Sequence, residues 1–489
     1  MICVPITARR TEAVIHEMSL AVKHADIIEL RLDFISEMHE ARTCMERALK
    51  CRTKSIIVTN RPIREGGNFS GSEQDRIKLL QEAIDLGADY VDVEHDSIKH
   101  ISRQDSTKII VSYHNFKDTP RNINKIYDEI CQCKPDIVKI VTYAHDITDN
   151  IRIFKLLQTA PLPTISFCMG DCGHISRILT RKFGGFLTFA SLDKGKESAP
   201  GQLTVNDLVN TYHFKKINKE TSVYGIVGNP VSHSMSPAIH NCSFLEKGLN
   251  SVYVPMKVLD IVSFVREFRK INIQGLSITI PHKETIVPLL DDIDTTARKI
   301  GAINTVVNQN GIFKGFNTDC VAAVQGLENG MNNNEISSHT VAIIGAGGAA
   351  RAIAFGLKDK GCDITIYNRN VEHAIKLSHE IGCKYKRLEE ICQVDTDILI
   401  NCTPIGMFPE VEVSPVPKEA LRKGMVVFDS IYNPIKTRLL LDAEASGCHT
   451  VNGLTMFINQ AAEQFRLWTG INPSVELMRK AALEKLSVE

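Results

Sequence analysis

The sequence carries no surplus charge: 57 Lys and Arg stand against 57 Asp and Glu across 489 residues. Without a basic excess there is no electrostatic footprint for nucleic acid or an anionic membrane, so neither is expected as a partner. No stretch approaches the roughly 18 consecutive apolar residues of a membrane-spanning helix. The opening MICVPITARR runs into a strand pattern without the charged and apolar regions of a leader peptide, which disfavours secretion and organelle import. Fourteen cysteines form no compact disulfide framework, and neither Cys131-x-Cys133 nor Cys168-x3-Cys172 has the partners that complete a zinc set. No metal is expected, and the thiols read as reduced in a cytoplasmic protein. Internal repeats, low-complexity tracts and coiled-coil heptads are also missing.

What is present is length and rhythm. At about 100 to 200 residues per domain the chain predicts two to four domains, large enough for small-molecule catalysis. Through residue 214 there are eight short apolar runs bounded by turn signals, at 2–7, 27–33, 55–61, 90–95, 108–114, 137–142, 163–170 and 186–191. Each is followed by a segment able to form a helix or a short helical turn. Eight such units predict a TIM (β/α)8 barrel over 1–214, with its active site at the C-terminal strand ends. The polar stretch 215–221, KKINKET, reads as a linker. Beyond it, strand-like runs alternating with helical segments predict two further α/β domains.

Side chains alternate across a strand, so parity decides what faces the barrel axis. In IIELRLD this puts Glu29, Arg31 and Asp33 on the inner face, and in YVDVEH it puts Asp92 and Glu94 there. Arg61 ends the third run, His114 ends the fifth, and Lys139 lies within the sixth. So many inward ionisable groups must pair with one another or bind something polar. One reading of any of them is a structural ion pair, such as Glu29 with Arg31 or Arg61. Lys139 and His114 together point further, because they fall on neighbouring strands about 4.8 Å apart. A lysine amine in a partly desolvated site is a Schiff-base nucleophile, and an imidazole titrating near neutrality can remove the adjacent proton.

ELRLD, EGG at 65–67, SYH, the IVKI lysine, GHISR at 173–177 and SAPGQ at 198–202 together resemble type I 3-dehydroquinate dehydratase over nearly the whole barrel. The resemblance implies that Lys139 forms an imine with a substrate ketone, His114 moves the proton, and Glu65 supports that histidine. It further implies that Arg177 binds the substrate carboxylate and that Glu29, Arg31 and Arg61 hold hydroxyls and each other. Ser198 and Gln202 would lie on a closing loop.

In the second half, Ser234 and Ser236 precede Pro237, which suits the first turn of a helix. They form either an N-cap cluster or a carboxylate-binding pair. Thr279 and Lys283 follow a strand, and Asp319 stands at a helix start, where an exposed lysine and a simple cap are the bland alternatives. VAIIGAGGAARA places Gly345-x-Gly347-x-x-Ala350 between a strand and a helix, which fits a dinucleotide fingerprint. The next strand ends in Asn368-Arg369 rather than an acid, favouring NADP over NAD.

SHSMSP, SITIPHKE, GAINT, FNTD, GAGGAARA, NCTPIGM, YNP and FINQAAEQF occur in the order found in shikimate dehydrogenases, which residues 222–489 resemble. The resemblance implies that Ser234, Ser236, Thr279, Asn304 and Gln460 bind shikimate, with Tyr432 nearby and Lys283 with Asp319 handling the proton. Gly345, Ala346, Gly347, Gly348, Ala349, Asn368, Arg369, Thr403 and Gly453 would contact NADP. His373 and Thr455 depart from the family pattern on the cofactor side. The implied layout is a barrel at 1–214, a substrate domain at 222–330 with 451–489 packing back on it, and a Rossmann domain at 331–450. The implied function is a bifunctional dehydratase and dehydrogenase acting in sequence on 3-dehydroquinate, 3-dehydroshikimate and shikimate. A quinate-using pair and a catalytically inactive metabolite sensor are the rivals. Oligomeric state is not legible.

Overall fold

The computed structural model describes residues 1–331 and 335–487. Its contacts separate into two compact units, Met1–Pro237 with Gly248–Asn272 and Ala238–Lys247 with Ile273–Glu489.

In the first unit, eight parallel strands follow one another around a nearly closed barrel. They are β1 (Ile2–Ile6), β2 (Ile27–Arg31), β3 (Ser55–Thr59), β4 (Tyr90–Glu94), β5 (Lys108–His114), β6 (Ile137–Tyr143), β7 (Thr164–Met169) and β8 (Thr188–Phe189). Their order is β7-β6-β5-β4-β3-β2-β1-β8. At the seam the Phe186 N–H donates to the Thr164 carbonyl at 2.8 Å. Each strand falls on one of the eight sequence runs, with β6 extending one residue past its run to Tyr143. β2 and β3 end two residues earlier than those runs, because Leu32–Phe34 turns into a 3-10 helix and Pro62 cannot extend a ladder.

The period-2 pattern builds the barrel interior in layers. Cys3, Ile27, Ile57, Ile110, Ile137, Ile165 and Leu187 pack an apolar floor. Two residues further along their strands, Glu29, Thr59, Ser112 and Lys139 form the layer above. The inward face is therefore charged toward its C-terminal end and apolar below.

Residues 215–221 are strapped to the barrel rather than free as a tether. Lys182 Nζ donates to the carbonyls of Lys219 and Thr221 at 3.0 and 2.7 Å, and Lys215 pairs with Asp26 at 2.8 Å. β9 (Ser222–Gly228) follows and pairs in parallel with β10 (Ser251–Lys257).

The second unit holds β11 (Ile273–Ile278), β12 (Asp292–Ile293), β13 (Thr305–Gln309) and β14 (Ile312–Phe316). β13 is antiparallel to both β11 and β14, and β12 runs parallel to β14. Then come β15 (Thr340–Ile344), β16 (Asp363–Asn368), β17 (Lys384–Arg387), β18 (Ile398–Asn401), β19 (Val426–Asp429) and β20 (His449–Val451). These six are parallel, in the order β17-β16-β15-β18-β19-β20. This is the doubly wound Rossmann order, with its switch point between β15 and β18. Val341 and Ile343 pack one face of that sheet and Ala342 and Ile344 the other, so both faces are covered. The helix Gly453–Thr469 returns to β11 and β13: Gln464 accepts from Ser277 Oγ at 2.8 Å, and Trp468 Nε1 donates to the Val306 carbonyl at 3.0 Å.

Among the described residues no helix is long and apolar enough to cross a membrane, and no group of His, Cys, Asp and Glu is arranged to hold a metal. The fourteen cysteines are all unpaired.

The apolar floor generates a stability prediction. Ile110→Ala, at a fully buried floor position, should cost about 2–5 kcal/mol in urea unfolding of the barrel transition. A loss below about 1 kcal/mol would mean the floor is not close-packed.

Candidate active sites

The first candidate site is the charged layer of the barrel. Asp92, at the centre, accepts from Lys139 Nζ at 2.7 Å, from Arg61 at 2.7 Å and from Ser112 Oγ at 2.6 Å. Burial would raise its carboxyl, but the Arg61 and Lys139 cations outweigh burial and hold it well below the usual carboxylate range. Lys139 also faces Glu29 at 3.7 Å and lies 4.5 Å over the Phe189 ring. Glu29 in turn accepts from Thr59 Oγ1 at 2.9 Å. Arg61 continues to Glu94 at 2.5 Å, and Glu94 pairs with Arg76 of helix Glu73–Asp85. The pairings proposed from parity are thus replaced: Glu29 meets Lys139 and Thr59, whereas Arg31 pairs with Asp33 at 2.8 Å.

His114 Nδ1 lies 2.9 Å from Glu65 Oε2. Burial, together with the Arg61 and Lys139 cations, pushes the imidazole well below its ordinary value. This corrects the expectation of titration near neutrality, since His114 is neutral across the physiological range. Burial pushes Glu65 up to about 7, with Glu94 and Asp92 adding to the effect and Arg61 opposing it.

Arg177 is 1% exposed, yet its Nε has no partner and its one polar contact is a 3.4 Å approach to the Pro200 carbonyl. The guanidinium lies 4.2 Å over the Phe167 ring, and burial lowers its pKa to about 9. Pro200 belongs to the 198–202 loop, in which the Ser198 N–H and hydroxyl both donate to Gln202 Oε1. Glu29, Arg31, Arg61, Glu65, His114, Lys139, Arg177, Ser198 and Gln202 line one cavity. A neutral base, a buried amine and an unpaired cation facing a single space can hold a carboxylate, condense with a carbonyl and move a proton.

Sequence reasoning missed Arg76. Its signal was available: Arg76 occupies the same helical stripe as Leu79, Leu80, Ala83 and Ile84, where an apolar residue belongs.

The second candidate site is in the second unit. Lys283 Nζ donates to Asp319 Oδ2 at 2.6 Å, and Asn304 Nδ2 donates to Asp319 Oδ1 at 2.9 Å. Asp319 opens the helix Asp319–Gly330. Gln460 Oε1 approaches Asn304 Nδ2 at 3.5 Å, and Tyr432 stacks on Phe457 with ring centroids 4.5 Å apart. Thr279 is half-buried just after β11. Ser234 and Ser236 belong to the first compact unit, where Ser234 Oγ accepts from the Ser236 N–H at 3.2 Å at the start of helix Ser236–Glu246.

The glycine turn between β15 and helix Gly348–Asp359 fits a dinucleotide. Gly345 has φ +110°, a conformation that side-chain-bearing residues rarely adopt. A Cβ on Gly347, the helix N-cap, would meet nothing within 4 Å, so the turn opens onto free space beside the helix amides. A Cβ on Gly348 would lie 3.0 Å from Lys283 Cδ, so the lysine abuts this turn. Ala346 and Ala349 belong to the same turn. Thr403 faces Gly345, and its hydroxyl donates to Asn401 Oδ1 at 2.7 Å. A Cβ on Gly453 would fall 2.4 Å from the Ser430 carbonyl, a close approach that requires glycine. Asn368 Nδ2 donates to the Asn370 carbonyl at 2.8 Å, and Arg369 and His373 are exposed beside it. Thr455 lies in the first turn of helix Gly453–Thr469.

Comparison with known proteins gives four family matches. Residues 2–219 match type I 3-dehydroquinase and 226–306 match the shikimate dehydrogenase substrate binding domain. Residues 329–434 match shikimate/quinate 5-dehydrogenase, and 453–483 match the shikimate 5'-dehydrogenase C-terminal domain. The chain is 40% identical over 502 residues to a bifunctional 3-dehydroquinate dehydratase/shikimate dehydrogenase, chloroplastic, of Arabidopsis thaliana, covering 98% of this chain and 83% of that one. It is 44% identical to the shikimate dehydrogenase (NADP(+)) of Methanocaldococcus jannaschii over 55% of this chain and 99% of that one. The crystal structure of Thermus thermophilus shikimate 5-dehydrogenase in complex with NADP(H) and shikimate aligns with TM-score 0.50 and 32% identity, over 54% of this chain and 100% of that one. With both halves matched and one relative spanning nearly the whole sequence, the chain belongs to the bifunctional 3-dehydroquinate dehydratase/shikimate dehydrogenase family.

Proposed function

We propose that the barrel dehydrates 3-dehydroquinate to 3-dehydroshikimate through an imine on Lys139, and that the second half reduces this product to shikimate with NADPH. The observation that carries the first reaction is the meeting of Lys139, the His114–Glu65 pair and unpaired Arg177 at one cavity. Arg177 takes the substrate carboxylate, and Arg31, Arg61 and Glu29 hold hydroxyls. The Lys139 amine condenses with the ketone and water leaves, giving an iminium that acidifies the adjacent C–H. His114 Nε2 removes that proton; the neighbouring hydroxyl then departs as water, taking a proton back from the imidazolium, and hydrolysis frees Lys139. The loop with Ser198 and Gln202 keeps bulk water out.

For the second reaction, NADPH supplies a hydride when bound. Lys283, oriented by Asp319, donates the proton to the carbonyl oxygen, a role supported by its contact with the glycine turn. Thr279, Asn304, Tyr432 and Gln460 orient the substrate; for Ser234 and Ser236 that role rests on the family resemblance alone. Gly345 to Ala349, Thr403 and Gly453 cradle the dinucleotide, with Asn368 and Arg369 at its 2′-phosphate. The domains under this reading are 1–214, 222–330 with 451–489, and 331–450. A reducing, cytoplasmic setting is supported by the fourteen unpaired thiols.

Borohydride added with 3-dehydroquinate should trap an adduct on the peptide containing Lys139. Lys139→Ala should abolish dehydration while leaving NADP-dependent shikimate oxidation intact. An adduct on another lysine would overturn the assignment.

The Glu65–His114 pair sets a pH limb. With Glu65 ionised, Nδ1–H donates to it and Nε2 keeps its lone pair; with Glu65 protonated, the carboxyl donates to Nδ1 and the proton on Nε2 masks the base. Dehydratase kcat/KM should therefore fall as pH drops below about 7, and Glu65→Gln should remove that limb. An acid limb unchanged in the variant would exclude Glu65.

NADPH should be preferred over NADH, and Arg369→Ala should erode the preference by roughly tenfold to a hundredfold, the worth of one charge-assisted contact. Equal use of both cofactors by the unmodified protein would refute the role of Arg369.

A further inference from the structure

Asp429 ends β19 with its side chain fully buried. Three donors converge on its carboxylate: Asn401 Nδ2 at 3.1 Å and the Ile431 N–H at 3.1 Å on Oδ1, and Thr437 Oγ1 at 2.6 Å on Oδ2. None of the three is a cation, so neutral hydrogen bonds alone offset the burial of this carboxylate.

Two of the donors lead to residues assigned above to the cofactor site, and the third caps a neighbouring helix. Asn401 ends β18, and its Oδ1 accepts both the N–H and the hydroxyl of Thr403, at 3.0 and 2.7 Å. The Thr403 methyl lies 3.2 Å from where a Cβ on Gly345 would be. The Ile431 carbonyl accepts from the Gly453 N–H at 3.2 Å, at the start of the helix carrying Gln460, and the next residue is Tyr432 on Phe457. Thr437 caps the helix Arg438–Ala445 that follows.

We infer that Asp429 is a positioning residue of the dehydrogenase: through Asn401 it holds Thr403 against the glycine turn, and through Ile431 it holds both the loop that continues into Tyr432 and the Gly453 start of the helix carrying Gln460. The inference rests on the dehydrogenase reading above. Asp429 acts through these neighbours and touches neither cofactor nor substrate.

The arrangement needs the ionised form. A carboxylate accepts from all three with charge-assisted bonds, whereas protonation at Oδ2 turns Thr437 from donor into acceptor and leaves the Asn401 and Ile431 bonds on Oδ1 as weaker, uncharged ones. Burial pushes Asp429 up to about 6, with Thr437, Ile431 and Asn401 pulling down, so it gains a proton just below neutral pH. The ionisable group it acts on is the Cys402 thiol, raised by burial and further by Asp429, with Lys283 and Asp319 acting on that same thiol.

In the full-length protein, the KM for NADPH should rise as pH falls through about 6, while kcat changes little. Asp429→Asn should raise that KM by tenfold or more at pH 7.5, flatten the acid limb and leave dehydratase activity unchanged. Thr437→Val, which removes one stabilising donor but keeps the carboxylate, should move the limb to higher pH and serves if Asp429→Asn does not fold. A KM for NADPH flat from pH 5 to 7.5 in the unmodified protein, or unmoved in both variants, overturns the inference. Failure of the unmodified protein to oxidise shikimate with NADP at pH 7.5 would instead overturn the dehydrogenase reading itself, and this inference with it.

Discussion

The barrel half depends on one chain of buried charges of alternating sign, running from Arg76 through Glu94, Arg61 and Asp92 to Lys139. No link in it would be tolerated alone, because an ion taken out of water costs several kcal/mol unless a partner offsets it. Every member therefore constrains its neighbours. Arg76 fixes Glu94, Glu94 and Asp92 together fix Arg61, and Asp92 orients the lysine amine. Such a chain is weak evidence for stability and better evidence for specificity, because loss of one member strands the rest. It also bears on His114: burial first, and then the cations that neutralise Asp92, disfavour a proton on the imidazole.

The dehydrogenase half uses a different solution. The Lys283–Asp319 ion pair at its site is completed by the neutral Asn304 amide, and the buried carboxylate of Asp429 is held by neutral donors. The doubly wound sheet supplies the reason. Strand ends on either side of the switch point splay apart, leaving space that a long dinucleotide can fill, and hydrogen bonds between loops then have to keep the two walls in register. In the barrel, charge contacts already run from strand to strand.

Much of this was legible because period-2 alternation is a local property. Parity alone put Glu29, Asp92, Glu94 and Lys139 inside the barrel, and the eight runs located its eight strands. The glycine turn was legible for a similar reason, since a strand, a left-handed glycine and a helix follow one another within a few residues. What parity cannot supply is a partner. Lys139 meets Asp92 across 47 positions of sequence and Asn401 meets Asp429 across 28, and only the closed fold decides such pairings. Nor can it supply a proton occupancy: the state of His114 is a sum over burial and several charges at once. The segment 215–221 misled for another reason, since its polar side chains read as solvated while its backbone carbonyls were anchored by Lys182 from the barrel.

Arg177 carries a consequence for the life of the protein. Among the described residues the buried Arg177 guanidinium has no counter-ion, and the carboxylate proposed for it would offset the cost of that burial. Any ligand that binds only the folded form raises its stability with the logarithm of its concentration. On the proposed role of Arg177, substrate supply and the lifetime of the folded chain would be linked: a cell poor in that acid would hold a barrel that opens more often, and would lose it to proteases sooner, than a cell in which the acid is abundant.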